Sequence, residues 1–93
     1  MPYIQSEERE QYHELIVSLA QKIPVDRMAR PGHLNYIVTQ LLHTVYGKQM
    51  RYADHNEAIG VLHCIAEEFY RRKTAPYEDL KINEEGDVEF LRK

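Results

Sequence analysis

The residues with the most chemical potential lie in one stretch, Asn56 to Arg72, NEAIGVLHCIAEEFYRR. His63 and Glu67 stand four apart, and so do Glu67 and Arg71. On a helix that spacing lets side chains meet. A histidine and a glutamate so placed could share one metal ion, and Glu57, His63 and Glu67 together could serve an acid–base site. Neither chemistry is complete in the sequence. Cys64 falls about 100° round the helix from His63, out of reach as a third ligand or as a thiol activated by its neighbour. His13, His33, His43 and His55 could add a ligand only through the fold. The four glycines are isolated, so no phosphate-binding loop exists, and Glu7-x-x-Glu10 has no ExxD partner of the kind that helical pyrophosphohydrolases use. No residue is assigned a catalytic role, and no cofactor or metal is expected.

Asn56, Gly60, His63, Glu67 and Arg71 recur along one line of this helix, opposite its apolar residues. Glycine in an exposed helix costs about 1 kcal/mol against alanine. Room for a close approach would offset that cost, which makes this polar line a candidate interaction surface. The bland alternative is a solvated back face with one tolerated glycine. On the other side Ala58, Leu62, Ile65 and Phe69 form a line flanked by Ile59, Val61 and Ala66. Such a broad apolar arc suits a helix with two neighbours, so this helix is expected at the centre of the domain.

The surrounding elements follow from periodicity. Ser6 with Glu7 and Glu8 reads as a helix start. Tyr12, Leu15, Ile16, Leu19 and Ile23 then share a face, and Pro24 ends the segment, giving a helix over about 7–22. Pro31-Gly32 marks a turn. Leu34, Ile37, Val38, Leu41, Leu42 and Val45 stripe a second helix over about 33–46, stopped by Gly47. Asp54 with Glu57 resembles a capping box for a third helix over about 53–74, closed by Pro76. In the tail, Leu80 and Ile82 and then Val88 and Phe90 alternate with polar residues on either side of NEEG. That pattern predicts a short hairpin over 80–90, or an extended tail. The fold class is therefore mainly α: a single three-helix domain spanning 1–93 with a small C-terminal hairpin.

The totals narrow the function. Ninety-three residues make one domain with one modest core. Hydrophobic residues at 43% and charged residues at 29% describe an ordinary globular chain. The net charge of −3 argues against binding dominated by phosphate contacts. Arg27, Arg30, Arg71, Arg72 and Lys73 could still form a local nucleic-acid patch. Three helices and a hairpin suggest a winged-helix DNA binder, but the tip NEEGD is acidic where a wing is basic. With one cysteine no internal disulfide forms, which suits a reducing cytoplasm. The start MPYIQSEERE is not a secretory signal, and no apolar run could span a membrane.

The segments MPYI, HLNYIVTQLL, NEAIGVLHCIAEEFYRR, APYEDLKI and EEGDV together resemble a family of small uncharacterised proteins from bacteriophages and bacteria. The resemblance runs over almost the whole chain in order and spacing. It implies a compact, often phage-encoded protein with no established activity. It puts weight on Asn35, Tyr36, Asn56, Glu57, Gly60, Glu67, Tyr70, Arg71, Pro76, Tyr77 and Glu78. His63 departs from it, standing where an acidic residue is more usual. Asn35, Tyr36, Glu57, Tyr70, Tyr77 and Glu78 are thus candidates for a polar network that fixes helix packing or lines a pocket. The function expected is a non-enzymatic protein–protein interaction module with an unknown protein partner, self-associating as a homodimer. Nucleic-acid binding and a cryptic enzyme are the alternatives.

Overall fold

A computed structural model describes residues 3–91. Helix α1 spans Ser6–Lys22, α2 Arg30–Tyr46, α3 Tyr52–Phe69 and α4 Ala75–Glu85, with a π-helical segment at Tyr70–Thr74 and a 3₁₀ turn at Glu89–Leu91. The chain is mainly α as expected, and no strand occurs among the described residues. It divides into two units, Met1–Asp54 and His55–Lys93.

In the first unit the helix ends follow local chemistry. Glu7 and Glu8 occupy the first turn of α1, but the cap is Gln5, without a side-chain bond. The Ser6 hydroxyl instead donates to the Glu7 carboxylate at 3.2 Å. Serine one residue inside the cap position cannot reach forward to the free amides, so the expected cap is corrected. At the connection the Asp26 carboxylate accepts from the Met28 amide at 3.1 Å. The Asp26 carbonyl takes the Arg30 amide at 2.8 Å, so the turn feeds directly into α2. Pro31 and Gly32 therefore lie inside α2 and not before it. Proline is tolerated there because the first helical amides have no intrahelical partner to lose. Gly47 ends α2 with φ 78° and ψ −172°, a region essentially reserved for glycine.

Helix α3 begins at Tyr52, two residues before the expected cap. Asp54 does not cap it from the front. Its carboxylate accepts the Arg51 amide at 3.0 Å, the backward half of a capping box. In the second unit the largest correction is the tail. Residues 80–90 form no hairpin: Leu80 and Ile82 lie within α4. Pro76 stands in its first turn with Glu78, both favourable at a helix start, and Lys81 pairs with Glu84 at 3.5 Å. Two apolar residues on each side of a turn are too few for period two to outweigh these local helix signals. Gly86 does adopt positive φ, 91°, but it ends a helix and does not turn a hairpin.

Pro76 also fails to end the helical path. Before a proline the α-conformation is disfavoured and the ring collides with the carbonyl four residues back. The π segment relieves this. The Ala75 amide bonds the Tyr70 carbonyl, five residues back, and the wider turn carries the chain from α3 into α4.

The expected core does not form within either unit. No described residue is buried. Leu15 on α1, Leu41 and Val45 on α2 and Phe69 on α3 are each more than half exposed. The helices are amphipathic as the periodicity required.

A Cβ placed at Gly60 meets nothing within 4 Å. Gly60→Ala is therefore expected to stabilise the protein by up to about 1 kcal/mol. Gly47→Ala forces alanine into a glycine-only conformation and is expected to cost about 1–3 kcal/mol. Urea unfolding of the two variants checks both signs.

Candidate functional site

The polar line of α3 holds together only as a face. Asn56, Gly60, His63, Glu67 and Arg71 are all exposed. Neither the His63–Glu67 spacing nor the Glu67–Arg71 spacing closes into a hydrogen bond or ion pair, and the ion pair of this region joins Arg72 to Glu68 at 3.5 Å. Among the described residues no group of three metal-capable side chains converges. Cys64 is exposed and unbridged. What the line offers chemically is an open surface of mixed charge with a gap at Gly60.

The candidate polar network resolves differently. Asn35 and Tyr36 belong to the first unit, and the Asn35 side-chain amide oxygen (Oδ1) accepts the Thr39 hydroxyl at 3.4 Å within α2. In the second unit Tyr70 and Glu78 come together: the phenol donates to the Glu78 carboxylate at 2.5 Å. Tyr77 lies beside them with the Lys81 ammonium 5.8 Å from its ring. The hydrogen bond to Glu78, and then the charge of that carboxylate, raise the Tyr70 phenol above its ordinary value of 10.0.

The π segment makes this pair possible. In an uninterrupted α-helix residues eight apart differ by about 80° in azimuth. One residue absorbed in a wider turn puts Glu78 where the seventh residue would stand, about 20° from Tyr70. Sequence reading placed both residues in a network but missed this direct pairing, because the spacing is not a helical contact spacing. The signal that could have found it was Pro76 within an otherwise helical pattern. The cationic candidates divide between the units, Arg27 and Arg30 in the first and Arg71, Arg72 and Lys73 in the second. A groove beside the start of α1, lined by Ile4, Arg9, His13 and Ile16 among others, is walled by that helix and the residues before it. The Arg9 guanidinium donates to the Ile4 carbonyl at 3.1 Å there, which leaves it a structural contact.

A family profile described as a domain of unknown function, DUF6899, matches residues 1–88. The chain belongs to the DUF6899 family. No curated protein matches it. No solved structure matches it. The match spans both units, so the amphipathic helices of the first and the π segment of the second fall within one family domain.

The raised Tyr70 value has a checkable consequence. Folded Tyr70 holds its proton more tightly than unfolded Tyr70, so its stabilising contribution is complete below pH 10 and is lost as pH rises through the folded value. Replacing Glu78 by Gln is expected to bring one of the seven tyrosines down toward the ordinary range in a phenolate-absorbance titration. An unchanged titration curve would contradict the pairing.

Proposed function

We propose that this protein is a non-enzymatic interaction module that completes its fold by associating with a second copy of itself. The observation that carries this reading is that neither unit buries any described side chain within itself, although its helices are amphipathic. Such helices gain most of their stability from covering the apolar face, not from intrinsic propensity. Three apolar faces, on α1, α2 and α3, are available to an interface.

The polar line around Gly60 is a second surface of the module, open to a further protein partner once the apolar faces are covered. No described helix is long and apolar enough to cross a membrane. The single cysteine supports a reducing cytoplasm, and the sequence resemblance supports a phage-infected or bacterial cell.

Sedimentation equilibrium of the full chain over a micromolar series tests the reading. A dimer or larger closed oligomer at about 10 μM, the range of ordinary specific association, is expected. A monomer persisting into the high micromolar range would overturn it.

A further inference from the structure

We propose that the Tyr70–Glu78 hydrogen bond is a latch on a hinge at Thr74–Ala75. While it is made, α3, the π segment and α4 form one helical path; once it is broken, α4 is free to turn away. The inference concerns the second unit alone and stands whether or not the chain associates.

The hinge lies in the backbone around Pro76. Proline supplies no amide, collides with the carbonyl four residues back and disfavours the α conformation in the residue before it. At Pro24 the chain makes the ordinary response. Ile23 is extended, with φ −79° and ψ 128°, and α1 ends. At Pro76 the preceding Ala75 instead keeps φ −61° and ψ −46°, the conformation that proline disfavours. Thr74 beside it is also helical, at φ −77° and ψ −44°. The alternative state is one rotation away. Turning ψ of Ala75 to the extended region ends the path at the π segment and leaves Pro76 at the first position of α4, where proline is favoured. The bond from the Ala75 amide to the Tyr70 carbonyl survives, because ψ moves only the atoms beyond it. The two states exchange helical bonds across the hinge for a relaxed Ala75, a balance that one side-chain bond can tip.

That bond is the one from the Tyr70 phenol to the Glu78 carboxylate, at 2.5 Å. Its partners stand on opposite sides of the hinge. It exists only where the wider turn brings Glu78 into line with Tyr70. A regular α-helix separates the two by about 80° in azimuth, and an extended Ala75 carries Glu78 away. A contact made in one state and absent from the others shifts the equilibrium by its own free energy. An ionised acceptor puts it among the stronger hydrogen bonds. The Arg72–Glu68 pair lies before the hinge and the Lys81–Glu84 pair beyond it, so both are indifferent to the state. Any group that engages the Glu78 carboxylate or the Tyr70 phenol competes with the latch and opens the hinge.

Pulsed electron resonance between spin labels tests this on the full chain. One label sits on Cys64 and the other on Asn83→Cys, with labelled chains diluted in unlabelled ones so that distances within a chain are read. A continuous path sets the two backbones about 27 Å apart. The parent is expected to give one narrow distribution near that length. In Tyr70→Phe and Glu78→Ala a shorter component is expected to grow about threefold or more. Glu84→Ala, which removes a pair that does not cross the hinge, is expected to match the parent. Adding Pro76→Ala to Tyr70→Phe removes the cause of the break and is expected to restore the single distribution. Parent-like distributions in both latch variants would overturn the proposal. So would an equal shift in Glu84→Ala, or a loss of circular-dichroism helicity on the scale of the 11 residues of α4, which would mean that α4 melts and does not turn.

Discussion

An amphipathic helix in water is held by whatever covers its apolar face, and in this protein that requirement is unmet within either unit. Helix formation gains one hydrogen bond per residue but fixes the backbone at an entropy cost of about 1–2 kcal/mol each. Short helices balance these terms only with burial. Here α1 and α2 are each 17 residues long, and both carry apolar stripes that face solvent. Intrahelical pairs such as Arg72–Glu68 and Lys81–Glu84 are too exposed to replace the missing burial. The fold and the proposed function therefore reduce to one question, the identity of the surface that covers these faces.

The second unit shows how one local irregularity can change the register of a helical path. Proline in a helix interior ordinarily ends it. A π turn spreads the collision over a wider loop of backbone and adds one residue to the count. That extra residue aligns Tyr70 with Glu78. The basic run Arg71-Arg72-Lys73 occupies the π segment itself. Long cationic stems tolerate that position because their charged ends can stay in water.

Much of the helical framework was legible in the sequence. Periodicity located the apolar faces of α1, α2 and α3, and Gly47 marked the end of α2 through a conformation that only glycine adopts freely. The acids at the start of α1 were legible, whereas the cap was not, because a shift of one residue changes which amide a serine can reach. Residues 80–90 misled for a different reason. Leu80 and Ile82 satisfy period two, and the helical signals that defeat it, Pro76 and Glu78 in a first turn, lie outside that window. The path through Pro76 was not legible from proline rules, which describe a regular α-helix and not a π turn. Tertiary packing was the least legible feature, because a stripe states that a face is apolar and is silent on what covers it. As for the site, the Tyr70–Glu78 pairing needed the coordinates, while the openness of Gly60 answered directly the question its position in the helix raised.

The central claim is that folding is completed by association, and linkage gives it a direct measurement. A structure stabilised by a second copy melts at a temperature that depends on protein concentration, and one stabilised within its own chain does not. Helicity followed by circular dichroism during thermal melts, across a hundredfold range of total protein, separates the two. The account expects the midpoint to rise steadily with concentration and helicity to fall on dilution. A cooperative transition at one temperature across that whole range would contradict it.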